Sequence, residues 1–128
     1  MVSRDELLAS SDVVSCHLPS TDETQAMFDY GRFCRMKPSA VFVNAARGEV
    51  VDEEGLVRAL REGKIAGAAL DVRRNEPPGS GPLCQMDNVI LTPHVGAFTH
   101  EGQHRVVEAV SRDVAAVLGG GEAVDFAN

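Results

Sequence analysis

Side chains suited to proton transfer and anion binding come shortly after the apolar segments of this sequence. Arg47, Asp71, Glu76 and His94 each occupy such a position. A histidine exchanges a proton near neutral pH, and the planar guanidinium of an arginine binds a carboxylate through two hydrogen bonds. An arginine, carboxylates and a histidine at segment ends together indicate a site that binds an anionic substrate and moves a proton.

The segments that carry these residues alternate between strand-like and helix-like patterns. Strands are predicted over 13–17, 40–44, 65–72 and 89–91, and helices over 5–9, from Asp52 to Gly63 and from Thr99 to the glycines at 119–121. Residues 21–37 have a mixed pattern, and we assign their apolar side chains to the core. Apolar strands separated by helices are typical of the α/β class, with a parallel sheet covered on both faces. Because ligands bind at the carboxyl ends of such strands, the site is expected at that edge.

Composition limits the function classes. The chain has 128 residues and a formal net charge of −7, the size of one globular domain. The negative charge argues against binding to nucleic acid or to an anionic membrane surface. Three cysteines without a CxxC motif indicate a reducing compartment and neither a disulfide framework nor a thiolate metal site. No segment has the pattern of a membrane span or signal peptide, so the predicted location is the cytoplasm.

Four blocks of the sequence occur in the order and spacing of a known enzyme family. They are SDVVSCHLPSTDET, MKPSAVFVNAARGEVVDEEGLVRALREGKIAGAALDV, NEPP and NVILTPHVGAFTHE, and they cover most of residues 10–105. The sequence thereby resembles the D-isomer-specific 2-hydroxyacid dehydrogenases, which include phosphoglycerate dehydrogenase, glyoxylate/hydroxypyruvate reductase and D-lactate dehydrogenase. The resemblance implies a Rossmann-type, doubly wound and mainly parallel sheet, and an oxidoreductase that interconverts a 2-keto acid and a D-2-hydroxy acid.

The resemblance implies catalytic roles for three residues. His94 would protonate the carbonyl oxygen during reduction and act as the base in the reverse direction. Glu76 would pair with His94 and favour its protonated form, and Arg47 would bind the substrate carboxylate and polarise the carbonyl. Formate dehydrogenases of the same superfamily have a glutamine at the position of Glu76, so formate is not the expected substrate. Arg73 stands where the family usually has an aromatic residue, which leaves the particular 2-keto acid open.

The resemblance also implies an NAD site, with NADP as the alternative. The residues matching positions around the nicotinamide nucleotide are His17, Pro19, Thr24, Ala45, Arg47, Asp71, His94 and Gly96. A complete dinucleotide site needs a GxGxxG motif and an acidic residue about 20 positions later, and none of the 12 glycines is so arranged. We therefore predict a partial NAD-binding domain over 1–98 that lacks its first two strands, and a helix and tail over 99–128 that return toward a substrate domain.

The missing motif leads to further expectations. In the strand order 3-2-1-4-5-6, we assign the four predicted strands to positions 3 to 6. This assignment predicts that Val13–His17 has no neighbouring strand and that the strand at 40–44 has an exposed edge. The chain alone is expected to bind NAD weakly and to have little or no activity, and a longer parent protein is expected to be a homodimer.

Two alternatives come from other function classes. The stretch HEGQH at 100–104 has the spacing of a zinc hydrolase motif, but no third ligand follows and both histidines lie at the edge of an apolar stripe, so no metal is expected. A non-enzymatic dinucleotide-sensing or scaffold relative is the second alternative. The combination of Arg47, Glu76 and His94 argues against it, because binding alone does not require an acid–base pair.

Overall fold

Four parallel strands form one sheet in the computed structural model, which describes residues 2–124. The strands are β1 (Val13–Cys16), β2 (Val41–Asn44), β3 (Gly67–Leu70) and β4 (Val89–Leu91). They lie side by side in the order β1-β2-β3-β4, and every neighbouring pair is parallel. The predicted α/β class with a parallel sheet is confirmed, and all four predicted strands are present, with small differences at their ends.

The prediction for the neighbours of β1 is wrong. Instead of standing alone, Val13–Cys16 pairs with β2 along its whole length. The other side of β2 pairs with β3, so the predicted exposed edge at 40–44 is also wrong. In a doubly wound sheet, the strand order reverses at one point. On either side of that point, right-handed crossover connections place consecutive strands next to one another. The four strands therefore form an uninterrupted run, and no further strand fits between β1 and β2.

One short helix precedes β1, and another lies between β1 and β2. Before β1, α1 (Arg4–Ser10) begins with a capping box, in which Ser3 and Glu6 each accept a hydrogen bond from the other's amide. Within 21–37, only α2 (Tyr30–Phe33) is helical, and turns form the rest. The apolar spacing there reflects packing against the core rather than a long helix.

The amphipathic helix between β2 and β3 forms as predicted. This helix, α3 (Glu53–Arg61), begins after Asp52, although the Asp52 side chain makes no capping hydrogen bond. Leu56 and Leu60 are buried on its inner face. Gly63 follows the end of the helix with a φ of 65°, a left-handed conformation that glycine adopts without strain.

The buried apolar residues form one cluster on one face of the sheet. Val14 and Phe42 point into this cluster, together with side chains from α1, α2 and α3. On the opposite face Val13 and Ile90 are 61% and 68% exposed. Among residues 2–94, the helices contribute their apolar side chains to this single cluster on one face of the sheet.

The chain divides into two compact units, and the second begins at Val95. It contains α4 (His100–Leu118), which starts where Thr99 Oγ1 accepts a hydrogen bond from the Gly102 amide. The helix ends before Gly119, as predicted, and none of its residues is buried. No helix in the described part of the chain is long and apolar enough to cross a membrane. The roles predicted for the parts 1–98 and 99–128 stay predictions.

Candidate active site at the carboxyl edge of the sheet

A polar segment follows each strand at the same edge of the sheet. His17–Pro19 follows β1, Ala45–Arg47 follows β2, Asp71 begins the segment after β3, and Thr92–His94 follows β4. Because all four strands are parallel, these segments share the carboxyl edge, where ligands bind in sheets of this kind. The structure therefore brings the segments that carry most of the residues selected from the sequence to one edge of the sheet.

A histidine–carboxylate pair lies at this edge. His94 Nδ1 is 2.8 Å from Glu76 Oε2, and the two side chains are 50% and 35% exposed. The His94 amide donates a hydrogen bond to the Asp71 carbonyl oxygen at 2.8 Å, and the φ of His94 is 54°. A residue other than glycine adopts this left-handed region at a cost of about 1–3 kcal/mol. The contacts with Glu76 and the end of β3 thus hold a strained histidine in place.

Hydrogen bonds keep the Glu76 carboxyl ionised. The pKa of Glu76 lies below the usual range. The largest cause is the hydrogen bond that the Arg73 amide donates to Oε1 at 2.9 Å, and the next is the hydrogen bond that His94 donates to Oε2. An ionised carboxylate can only accept hydrogen bonds, so the proton of this pair lies on His94 Nδ1. The second ring nitrogen, Nε2, is then the atom that gives or takes a proton in a reaction.

A buried asparagine holds the loop that carries Arg47. The side chain of Asn44 is at the end of β2, and the residue is 1% exposed. Asn44 Nδ2 donates to the Arg47 carbonyl oxygen at 2.8 Å, and Asn44 Oδ1 accepts from the Ala46 amide at 3.1 Å. The Arg47 guanidinium uses Nη1 to donate to the Ala46 carbonyl oxygen at 2.8 Å. Its remaining donors are suited to binding an anion.

The three residues with predicted catalytic roles border one cavity of about 170 Å³. Arg47, Glu76 and His94 all line it. The rest of the lining consists of Gly48, Glu49, Val72, Arg73 and Arg74. The volume is below the range of about 300–1,000 Å³ that is typical of sites for drug-sized ligands. A small organic acid is the class of ligand that matches this size and this combination of a cation with an acid–base group.

A second cavity, of about 360 Å³, is lined by four of the predicted cofactor-binding residues. These are His17, Pro19, Ala45 and Arg47. Thr24 supports this lining from outside, since its Oγ1 donates to the Pro19 carbonyl oxygen at 2.7 Å. Because Arg47 also borders the smaller cavity, the two cavities share a side chain.

Asp71 borders a third cavity, of about 370 Å³, together with Glu76 and His94. Asp71 Oδ1 accepts a hydrogen bond from Thr92 Oγ1 at 2.5 Å. The first unit therefore gathers its predicted site residues around three cavities at the carboxyl edge. Gly96, the remaining predicted cofactor-binding residue, belongs to the second unit.

The described part of the chain also contains the residues of the zinc alternative. His104 Nδ1 lies 3.7 Å from Glu108 Oε2 on α4. Among residues 2–124, no group of three or more metal-binding side chains converges, and the three cysteines are free. The side chains that the structure brings together are thus the arginine, histidine and carboxylates of the sheet edge.

Three supporting residues were given no role from the sequence. Asn44 and Thr92 hold Arg47 and Asp71, and Glu53 binds the Arg73 side chain with Nε–Oε1 and Nη2–Oε2 distances of 2.9 and 2.8 Å. A polar residue at the end of an apolar strand is a signal that could have identified Asn44. The contact of Glu53 joins residues 20 positions apart, and no local pattern indicates it.

Comparisons with known proteins agree on one family. Residues 1–96 match the family model described as D-isomer specific 2-hydroxyacid dehydrogenase, NAD binding domain. The chain is 50% identical over 117 residues to a glyoxylate reductase of Thermofilum pendens, covering 91% of this chain and 34% of that protein. It is 47% identical over 115 residues to a D-3-phosphoglycerate dehydrogenase of Archaeoglobus fulgidus, covering 89% of this chain and 22% of that protein. The chain thus spans about a third or less of these relatives.

A solved structure gives the same result. The crystal structure of a D-lactate dehydrogenase with NAD+ from Lactobacillus jensenii superposes with a TM-score of 0.89 at 32% identity, over 99% of this chain and 42% of that chain. The strand run, the edge at which the polar segments lie and the sequence matches are therefore consistent with one another. This chain belongs to the D-isomer-specific 2-hydroxyacid dehydrogenase family and matches the NAD binding domain of that family.

Proposed function

We propose that the protein containing this chain is an NAD(P)-dependent oxidoreductase that interconverts a 2-keto acid and a D-2-hydroxy acid. The observation that carries this proposal is the cavity of about 170 Å³ bordered by Arg47, Glu76 and His94. It offers a cation for a carboxylate next to a proton donor for a carbonyl oxygen. The relatives named glyoxylate reductase and D-3-phosphoglycerate dehydrogenase support the same reaction class.

In this proposal Arg47 binds and orients the substrate. The Asn44 side chain fixes the Arg47 backbone, so the guanidinium extends from a loop with little freedom. A planar guanidinium can bind a carboxylate with two parallel hydrogen bonds, which fixes the position of the neighbouring keto group. A positive charge near the carbonyl oxygen also stabilises the negative charge that develops there during reduction.

His94 supplies the proton. The hydrogen bond from Nδ1 to the Glu76 carboxylate orients the ring. When bound, NADH or NADPH supplies the hydride that reaches the carbonyl carbon. His94 Nε2 donates its proton to the carbonyl oxygen in this direction, and the neutral ring takes the hydroxyl proton in the reverse direction.

The cavity lined by His17, Pro19, Ala45 and Arg47 would hold the nicotinamide half of the cofactor. The loop backbone and the ring of His17 offer hydrogen-bonding groups of the kind that a ribose and a carboxamide require. Asp71 would lie at the nicotinamide end, and the role of Gly96 stays a prediction from the sequence. This group of residues fits NAD and NADP equally, because it contains no acidic residue that hydrogen-bonds the 2′-hydroxyl of the adenosine ribose.

The test is to add glyoxylate or hydroxypyruvate and NADH to the full-length protein. The oxidation of NADH is measured as the decrease in its absorbance. His94→Ala removes the proton donor and is expected to lower kcat by about 10²–10⁴-fold. His104→Ala serves as the control, since His104 lies on α4 with a side chain 81% exposed. An undiminished kcat in His94→Ala would contradict the proposal.

Several expectations about the molecule as a whole belong to this proposal. The 128-residue chain alone would bind NAD weakly and turn over little, because its sequence contains no GxGxxG motif. A clear rate of NADH oxidation by this chain would overturn that expectation. The homodimer of the longer protein, the lack of nucleic acid partners and the cytoplasmic location stay predictions from the sequence.

A further inference from the structure

A largely buried ion pair lies next to the candidate site. Arg73 donates from Nε to Glu53 Oε1 at 2.9 Å and from Nη2 to Glu53 Oε2 at 2.8 Å. The side chains of Arg73 and Glu53 are only 9% and 24% exposed. By contrast, the side chains of the Arg35–Asp5 pair are 56% and 62% exposed. Two parallel hydrogen bonds between partly buried charges fix both groups much more firmly than a surface pair does.

The Glu53 carboxylate also binds the backbone beside Arg73. Its Oε1 accepts a second hydrogen bond, at 2.9 Å, from the amide of Arg74. One carboxylate of α3 thus holds both the side chain of Arg73 and the peptide that follows it. The backbone after β3 is therefore anchored to α3 at two points.

The anchored peptide is in direct contact with the loop that carries Arg47. A Cβ atom at Gly48 would lie 2.1 Å from the carbonyl carbon and oxygen of Arg73 and 2.5 Å from the Arg74 nitrogen. Only a glycine allows the backbones to approach this closely. The peptide between Arg73 and Arg74 therefore has contacts with α3 on one side and with Gly48 on the other.

The same backbone reaches the acid–base pair. The Arg73 amide donates to Glu76 Oε1 at 2.9 Å, and Glu76 Oε2 lies 2.8 Å from His94 Nδ1. We propose that Glu53 and Arg73 are positioning residues, whose ion pair fixes the Arg73 amide so that it orients Glu76 and, through Glu76, the ring of His94. This inference rests on the proposed function only in taking His94 and Glu76 as the acid–base pair.

The electrostatics of Glu76 support this chain of contacts. The hydrogen bond from the Arg73 amide is the largest cause that lowers the pKa of Glu76, ahead of the hydrogen bond from His94. Asp71 acts in the opposite direction and raises this pKa. The ionisation of Glu76 therefore reports whether the Arg73 amide is in place.

The test is the pKa of the Glu76 carboxyl, measured by carbon NMR in the 128-residue chain with labelled glutamate. In Glu53→Gln an amide nitrogen replaces one carboxylate oxygen and cannot accept from Arg73, so the hold on the Arg73 backbone weakens and the pKa of Glu76 is expected to rise. Removal of a nearby negative charge would by itself shift the pKa of Glu76 in the other direction. The sign of the shift thus separates positioning from a purely electrostatic effect.

Two further variants complete the experiment. Arg73→Lys keeps the charge but loses the paired hydrogen bonds, and it is also expected to raise the pKa of Glu76. Arg35→Met breaks the exposed Arg35–Asp5 pair and is expected to leave Glu76 unchanged. An unchanged or lowered pKa of Glu76 in folded Glu53→Gln overturns the inference, and if that variant does not fold, the same criterion applies to Arg73→Lys. Because no turnover is measured, this result is independent of the test of the proposed reaction.

Discussion

Among single residues, Asn44 shows how a buried polar side chain shapes the site. It is the polar residue in the buried core of residues 2–124, and both ends of its amide bind the backbone of the loop that carries Arg47. Buried amides are found with hydrogen-bond partners because an unpaired polar group is costly to remove from water. The geometry of Arg47 is therefore set by the residue three positions before it.

Replacement of this amide is predicted to destabilise the fold. Asn44→Ala removes two hydrogen bonds and leaves backbone groups of the loop without partners, so the free energy of unfolding is expected to fall by about 1–3 kcal/mol. Asn88→Ala is the matched control, since Asn88 is exposed and its side chain donates a hydrogen bond to the Ala66 carbonyl oxygen at 3.0 Å. Urea unfolding measures both variants, and equal losses in the two would contradict the role given to Asn44.

Between elements, the backbone contact at Gly48 decides how close two loops lie. Gly48 follows the loop after β2, and the peptide of Arg73 and Arg74 follows β3. The absence of a side chain at Gly48 lets the two backbones meet. This contact brings Arg47 and the Glu76–His94 pair to the same cavity.

A single methyl group is predicted to separate these loops. In Gly48→Ala the new Cβ would lie 2.1 Å from backbone atoms of Arg73, which cannot move aside as a flexible side chain would. The expected loss in the free energy of unfolding is about 1–3 kcal/mol, the usual cost of overpacking. Gly79→Ala is the control, because a Cβ there meets nothing within 4 Å. Urea unfolding that shows no difference between the two variants would refute the contact.

For the whole molecule, the ionisation of two carboxyl groups links the site to stability. The pKa of Glu53 is lowered chiefly by the hydrogen bond from the Arg73 side chain, and the pKa of Glu76 chiefly by the Arg73 amide. A carboxyl group with a lower pKa in the folded state stabilises that state when it is ionised. This contribution is present above the unfolded-state pKa, about 4.3 for glutamate, and it is lost as the pH falls through the folded-state value.

Acidification is therefore predicted to destabilise the chain. The free energy of unfolding is expected to fall as the pH drops below about 5, because Glu53 and Glu76 take up protons. Glu53→Gln removes one of the carboxyl groups with a lowered pKa and should flatten this dependence. Glu23→Gln, at an exposed position, is the control and should keep it. Urea unfolding across this pH range measures the slopes, and identical slopes for the two variants would count against the role of Glu53.

The sequence predicted the local features of the fold well. Runs of apolar residues identified four strands, and the capping box at Ser3 and the glycine at 63 marked helix ends, because these signals act within a few neighbouring residues. The lack of a neighbour for β1 and the exposed edge of β2 were predicted wrongly. Both depend on contacts between segments far apart in the chain, and Val13 pairs with Val41 without any local pattern that requires it.

The site also depends partly on local sequence and partly on contacts between distant segments. Residue types, spacing and block order by themselves determined the family and selected Arg47, Glu76 and His94. Only the tertiary structure placed them around one cavity, showed that Asn44 holds Arg47 and joined Glu53 to Arg73 across 20 positions. The physical reason is that local preferences extend over a few residues, whereas these contacts exist only after parallel crossovers bring the ends of separate strands to one edge.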